Sequence, residues 1–353
     1  MHSRSVQVKD LASFCVKAMM AEGMRKEDAK ITADVLVTTD TWGIFTHGTR
    51  QLRALMQNFK CNKMKVDAVS NIVSDGPSWA IIDGKHSMPM VSSVKAMELA
   101  INKARKTSIA IITIRNSGHY GAAGYYANLA AKEDMIGLSF SNVDANVAAP
   151  GSRVPVLGTN PLAYAVPAGK EYPVMLDIAL STVSASKVYA AKDLKKSVPL
   201  GWIIDRDGLP TTNPSGFPAS GALLPMAGYK GYGIAVLVEI LTGVLSGGAF
   251  GSDLVSWIHD QTLPVNQSHS FIVINIGMFM PVDIFKAKMD KLISEIKNAP
   301  RAKNTERIYL PGEMEWEKRE IALREGINLP EYVISKLKEL ADDYNMNIKE
   351  LFK

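Results

Sequence analysis

The sequence predicts an α/β protein in which a central α/β domain is flanked by a helical domain drawn from both ends of the chain. Three observations predict it. The first part of the chain carries apolar residues at helical spacing, and the tail returns to that pattern. Between them, apolar strand-like runs alternate with helical stretches and Gly-containing loops. At 353 residues the chain has room for two domains, at roughly 100–200 residues each. The expected division is an N-terminal helical part at 1–75, a central domain at 76–307, and a C-terminal helical part at 308–353 that packs with the first.

Val8, Leu11, Phe14, Cys15, Ala18 and Met19 recur at helical spacing, as do Ile31, Val35 and Leu36. Glu27 and Asp28 open the second of these helices, where acids suit the positive end of the dipole. Asp75, Gly76 and Pro77 punctuate the chain. A strand is expected at 80–82, a helix at 94–106, a buried strand at 108–114, a helix at 122–133 and a strand at 136–140. Further strands fit 163–166, 174–177 and 201–204, and Gly208, Pro210 and Pro214 mark a long surface loop. Residues 231–245 read as a buried helix bounded by Gly247 and Gly248. A strand rich in branched residues at 271–276 is followed by amphipathic helices at 283–298 and 330–352. There is no internal repeat and no low-complexity segment.

Composition narrows the class. Hydrophobic residues make up 47% and charged residues 21%, a globular balance that argues against disorder. The net charge is only +5, and the densest basic cluster, Lys192, Lys195 and Lys196, carries Asp193 in its midst. That pattern is a solvated face rather than a nucleic-acid stripe. Cys15 and Cys61 stand in no metal or redox spacing, which predicts free, buried thiols in a reducing compartment. The N-terminal residues lack the apolar core of a signal peptide. The most apolar stretch, 234–245, is too short for a bilayer and contains Glu239. A soluble, cytoplasmic protein without nucleic-acid or membrane partners is expected.

No G-x-G-x-x-G fingerprint opens a helix after a strand, and no P-loop, H-E-x-x-H, C-x-x-C or G-x-S-x-G occurs. These absences remove Rossmann enzymes, kinases and zinc hydrolases from the expected set. Two histidines are more informative. His47 lies between Thr46 and Gly48, and His119 lies in a loop between Gly118 and Gly121 at the end of a strand. There, converging backbone N–H groups favour a neutral imidazole able to take a proton from a hydroxyl. Each also reads as an ordinary loop histidine bonded to its neighbours. Gly158, Thr159, Asn160 and Pro161 form either a ligand-facing loop or a plain turn. Lys230, among glycines before a helix, could hold a phosphate. Asp177, ending a strand, could reach a cofactor or cap a helix.

Seven segments, taken in order, carry a resemblance. They are Thr46, His47 and Gly48; Asn116 to Gly121; Gly158 to Pro161; and Asp177, Ile178, Ala179, Leu180 and Ser181 with Lys187. Then come Pro199 to Trp202 with Asp205 to Gly208, Lys230 to Gly233, and Leu310 to Glu313. The chain resembles the malate/L-lactate dehydrogenase family, whose members include sulfolactate and ureidoglycolate dehydrogenases and cyclic-imine carboxylate reductases. The resemblance implies a non-Rossmann, sulfolactate-dehydrogenase-like fold with a central mixed-sheet cofactor domain and a helical domain from both termini. It also implies a homodimer that uses NAD or NADP to interconvert a small 2-oxo acid and its 2-hydroxy acid.

Carried onto this chain, the resemblance makes His119 the favoured proton-transferring group and His47 its rival, with Thr46 orienting the substrate. Cofactor contacts fall on Asn142, Thr159, Asn160, Asp177, Ile178, Ala179, Ser181, Lys187, Tyr229, Lys230, Gly312 and Glu313. Two departures stand out. Where many members carry an arginine four residues after the first histidine, this chain has Gln51, with Arg50 and Arg53 nearby as candidate carboxylate ligands. Leu180 stands where the family often has threonine. A cyclic imino-acid reductase and a non-catalytic relative are the alternatives on the same scaffold.

Overall fold

The computed structural model describes residues 4–352 apart from positions 259 and 261. The N-terminal part contains β1 (Arg4–Val6), α1 (Val8–Ala21), α2 (Lys26–Thr41) and α3 (Leu52–Lys60). The central part begins with β2 (Asn71–Asp75), β3 (Trp79–Asp83), α4 (Pro89–Thr107), β4 (Ile109–Ser117), α5 (Ala123–Ala131) and β5 (Met135–Ser141). It continues through β6 (Val147–Ala148), β7 (Pro155–Leu157), β8 (Leu162–Val166), β9 (Val174–Ile178) and α6 (Ala185–Asp193). Next come β10 (Ile203–Ile204), β11 (Pro210–Thr211), β12 (Ala222–Leu223), α7 (Tyr229–Glu239), β13 (Gln267–Asn275) and α8 (Val282–Lys297). The chain closes with α9 (Glu313–Glu325), β14 (Ile327–Leu329) and α10 (Glu331–Asp343).

Seven strands form the main sheet in the order β2-β3-β4-β13-β5-β8-β9. Only β3 and β4 run parallel, so the sheet is mixed. Val273 and Phe271 of the central strand β13 are fully buried, as are Ile112 and Ile114 of β4 beside it. Branched and aromatic side chains suit a strand covered on both faces. Helix α4 begins five residues earlier than periodicity predicts, because Pro89 stands in its first turn, where a missing N–H costs nothing.

Both chain ends meet in one layer. Strand β1 pairs antiparallel with β14, and Leu11 and Phe14 of α1 share a core with Leu337 and Leu340 of α10. A second, five-stranded sheet runs β11-β10-β12-β6-β7. It closes over Val147, Val188, Ile203 and Phe217. The Gly and Pro cluster read as a long surface loop therefore contains a hairpin, since β10 pairs with β11 across Gly208.

Helix α7 corrects another expectation. It is not buried: Leu237 and Val244 are each 51% exposed, with Ile234 and Ile240 on the same stripe. The opposite face, Ala235, Val238 and Thr242, packs inward. Past Glu239 the helix widens into a π turn over Ile240–Val244. Thr242 Oγ1 donates to the Val238 carbonyl and Ser270 Oγ to that of Leu241, which satisfies groups that the widening releases. No helix among the described residues is long and apolar enough to cross a membrane.

Candidate active site

Helix α2 ends against a buried Trp42, whose ring meets Trp316 edge-on at 5.8 Å. The chain then folds back over Asp40. One oxygen of that carboxyl accepts the Thr49 backbone N–H at 3.1 Å and the Thr49 hydroxyl at 2.6 Å. A Cβ on Gly48 would stand 1.8 Å from the other oxygen, so this close approach requires glycine. The return presents His47, whose Nδ1 bonds Thr46 Oγ1 at 2.9 Å.

The second histidine arrives from the sheet. His119 sits between the end of β4 and the start of α5, and its ring centroid is 5.6 Å from that of His47. On another side the Trp257 indole stacks on it at 4.5 Å, nearly parallel. His119 Nε2 is buried with no hydrogen-bond partner among the described residues. Burial holds this imidazole's pKa well below its ordinary value, and His47 and His269 add to the effect. Burial, then the charge of Arg50, lowers His47 to about 4. Both rings are therefore neutral near pH 7, and His119 has a free nitrogen for a hydroxyl or carbonyl oxygen.

Beneath them lies a third histidine. His269 Nε2 bonds Ser117 Oγ and the Gly118 carbonyl, and its Nδ1 meets Ser141 Oγ at 2.9 Å. The Gly118 carbonyl can only accept, so Nε2 carries the proton. Its ring stacks on Tyr120 at 4.2 Å. Every nitrogen is engaged, and His269 fixes the loop that carries His119.

The two arginines part company. Arg53 pairs with Glu339 at 3.0 Å and Asp343 at 2.7 Å, tying α3 to α10. That double pairing commits its guanidinium to the helical layer. Arg50 has no carboxylate partner among the described residues. Its guanidinium lies 5.6 Å from the Tyr332 ring, near enough to His47 to depress that imidazole's pKa. Gln51 Nε2 donates to the Thr46 carbonyl at 2.7 Å, bracing the turn.

Backbone pairing gathers the predicted cofactor segments. The Leu180 N–H donates to the Thr159 carbonyl, and the Met226 N–H to the Leu180 carbonyl. Thr159, Ile178 to Ser181, and Tyr229 with Lys230 are thereby brought along one edge. The Met175 N–H reaches the Pro311 carbonyl and draws in the following turn. Gly312 stands there at φ +86, where a Cβ would lie 2.7 Å from the Met175 carbonyl.

Side chains divide these residues. Asn142 is fully buried and bonds the Ala249 carbonyl and the Ser268 N–H. Asn160, also fully buried, bonds Val143 N–H, the Ala235 carbonyl and Glu239. Ser181 Oγ donates to Val183, and Glu313 is taken by Lys297, Arg307 and the Leu310 N–H. Asp177 accepts the Gly124 N–H at 2.7 Å and so caps α5; burial lifts its pKa to about 6. These side chains build walls. Lys187, Tyr229 and Lys230 instead are exposed, the last two in the first turn of α7. Cations at a helix N-terminus suit a phosphate, so the residues present fit a dinucleotide. Among the described residues no cluster could hold a metal ion.

The family model described as malate/L-lactate dehydrogenase matches residues 6–338. The chain belongs to the malate/L-lactate dehydrogenase family. A malate dehydrogenase of Pyrococcus abyssi is 38% identical over 339 residues, covering 94% of this chain and 92% of the relative. The solved sulfolactate dehydrogenase from Methanocaldococcus jannaschii superposes with a TM-score of 0.91 at 33% identity, covering 99% and 100% of the two chains. The solved delta1-piperideine-2-carboxylate reductase from Pseudomonas syringae gives 0.86 at 26% identity, covering 96% and 100%.

As a member of the malate/L-lactate dehydrogenase family, this chain is an oxidoreductase of dehydrogenase type with the same mixed-sheet fold. Residues that sequence reasoning missed at its site are Asp40, Lys63, Trp257, Gln267 and His269. Gln267 lies opposite Ser117 in the sheet, with both polar atoms of its amide buried and unpartnered. Asp40 had a readable signal, since it lies on one helical face with Val37 and Leu36 among buried residues. Lys63 and Trp257 had none, being almost two hundred residues apart.

Proposed function

We propose that this protein transfers a hydride between NAD(H) or NADP(H) and C2 of a small 2-oxo or 2-hydroxy acid, with His119 moving the hydroxyl proton. The observation that carries the reading is the buried, unpartnered Nε2 of a neutral His119 held between His47 and Trp257. A bound nicotinamide supplies or takes up the hydride. In oxidation, neutral His119 takes the proton from the C2 hydroxyl as the carbonyl forms; in reduction, its protonated form returns one to the same oxygen. His47, oriented by Thr46, fixes that oxygen. Lys187 and Lys230, with the first turn of α7, hold the dinucleotide phosphates.

Arg50 grips the substrate carboxylate. Among the described residues it has no carboxylate partner and stands beside His47, whereas Arg53 is already paired. Arg50→Ala is expected to raise KM for the oxo acid about 10–100-fold with a smaller change in kcat, from loss of a charged hydrogen bond. Steady-state kinetics at saturating cofactor check this; an unchanged KM places the carboxylate elsewhere.

The exposed apolar stripe of Ile234, Leu237, Ile240 and Val244 supports assembly as a homodimer. Leu237→Glu is expected to shift the mass measured by light scattering from dimer to monomer; a monomeric native protein contradicts this. Cys15 is buried as expected, whereas Cys61 is exposed; both are free thiols, which suit a reducing compartment such as the cytoplasm.

The test of the whole reading follows NADH and NADPH absorbance with oxaloacetate, pyruvate and a cyclic imino acid. Oxidation of either cofactor by an oxo acid supports it. Turnover of the imine alone favours the reductase alternative, in keeping with the likeness to the piperideine-carboxylate reductase. Silence together with no cofactor binding overturns it in favour of a non-catalytic relative.

A further inference from the structure

Lys63 follows α3 and is only 3% exposed, yet it forms no salt bridge among the described residues. Its ammonium donates to the carbonyls of Ser256 at 3.1 Å, Trp257 at 3.2 Å and Asp260. Three donors thus meet three acceptors of one loop, which satisfies the group's whole capacity. A buried ammonium is costly, and burial holds its pKa below the ordinary lysine value against the opposing pull of Asp260, Cys61 and Asp144. Such a residue is expected where it fixes something that a neutral side chain cannot.

What it fixes are the described residues of the loop between Asp253 and Asn266. Asn266 closes the base, accepting the Val255 N–H and donating to the Asp253 carbonyl, both at 2.8 Å. The Val265 N–H reaches the Lys63 carbonyl, and His86 Nδ1 meets the Val265 carbonyl at 2.7 Å. At the loop's inner side the Trp257 indole lies flat on His119 at 4.5 Å. A substrate oxygen bonded to His119 Nε2 would sit about 2.6–3.2 Å from that nitrogen, and so within reach of the indole edge.

We propose that Trp257 is a specificity-determining wall of the substrate pocket, limiting the group on C3 of the oxo acid, and that Lys63 is the positioning residue that presents it. The proposal rests on His119 being the proton-transferring group. The indole keeps the imidazole in one plane and closes the space beside it, so small oxo acids fit and bulky ones do not. Lys63 touches neither reacting partner and acts through the loop carbonyls.

The experiment compares wild type, Trp257→Ala, Trp257→Phe, Lys63→Met and the double variant Lys63→Met with Trp257→Phe, each full-length and with cofactor. Lys63→Met keeps the side chain's length and removes its donors. Two readouts are taken. The first is the ratio of kcat/KM for phenylpyruvate to that for pyruvate. The second is the Trp257 emission, obtained by subtracting the Trp257→Phe spectrum in the wild-type and Lys63→Met backgrounds. Expected are a rise of the ratio by about tenfold or more in Trp257→Ala, a similar direction in Lys63→Met, and a red-shifted Trp257 emission in Lys63→Met with cofactor binding unchanged. An active wild type whose ratio does not move in Trp257→Ala overturns the specificity role. An unshifted emission in Lys63→Met overturns the positioning role, and needs no turnover to read. A wild type silent on every oxo acid is instead a failure of the dehydrogenase reading, and it removes the specificity role with it.

Discussion

His119→Ala is expected to lower kcat by about 10²–10⁴-fold, the range for loss of a positioned acid–base group, while dinucleotide binding stays nearly unchanged. The separation follows from geometry. His119 Nε2 has no hydrogen-bond partner among the described residues, whereas the residues that gather along Thr159, Leu180 and Met226 are joined by backbone bonds the variant leaves intact. Stopped-flow binding and steady-state turnover measure the two quantities separately. The pH profile carries an independent sign. With its pKa held well below 6.5 by burial, His119 is neutral in the free enzyme across pH 6–8. Hydroxy-acid oxidation, which needs the neutral base, should therefore stay level as pH falls through 6.5 and drop only well below it. Oxo-acid reduction, which needs the protonated form, should rise toward acid. Wild-type turnover in His119→Ala would hand the role to His47, and an acid limb centred at or above 6.5 would contradict the burial argument.

How far the sequence reaches depends on the range over which each feature is encoded. Strands β4, β5 and β13 and helices α5 and α8 are legible because a run of branched residues or a helical stripe is a local signal. The sheet order is not. Strand β13 lies between β4 and β5 although it follows them by more than a hundred residues, and no local pattern states a partner. The five-stranded sheet is invisible for a different reason: β6, β10, β11 and β12 are two residues each, too short for any period. Helix α7 misleads because it is apolar on both faces, and only the packing shows which face is left uncovered.

The site divides the same way. His47 and His119 stand out as glycine-flanked histidines, and the structure brings their rings together. Asn142, Asn160 and Asp177 lie in the gathered segments, yet their side chains bond the protein itself. A sequence motif marks where such residues sit, not which atoms remain free for a ligand. Lys63 and Trp257 join the histidines through contacts that only the folded chain creates.

The second large effect concerns Asp40, the buried carboxyl beneath the His47 turn. Burial raises its pKa from 3.8 to about 7, against the two bonds from Thr49 that favour the charged form. In the unfolded chain the same carboxyl ionises near its ordinary value. Between about pH 4 and pH 7 the folded state thus holds a proton that the unfolded state has lost. Stability contributed by this group falls as pH rises through that window, by up to about 4 kcal/mol, and is flat above it. His47, His119 and His269 work in the opposite direction, since their lowered pKa values leave the unfolded state with more protons below pH 6.5. The wild-type curve alone therefore mixes opposed slopes, and the comparison with Asp40→Asn isolates one of them. Asparagine keeps an oxygen for the Thr49 N–H and hydroxyl, but its amide N–H₂ replaces an oxygen that has no partner. That donor is unmet, and so is the O–H of the protonated wild-type carboxyl at the same place, so the two proteins differ most where Asp40 must ionise. The variant is accordingly expected to gain on wild type as pH rises from 4 to 8, with the gap changing by about 5 °C across the window. Because Thr49 stays anchored, His47 and Arg50 keep their places and kcat should hold at pH 7. Melting curves taken by calorimetry across this range decide it: parallel pH dependences in the two proteins would mean that Asp40 is ionised in the fold, and that its charge is met by something other than Thr49.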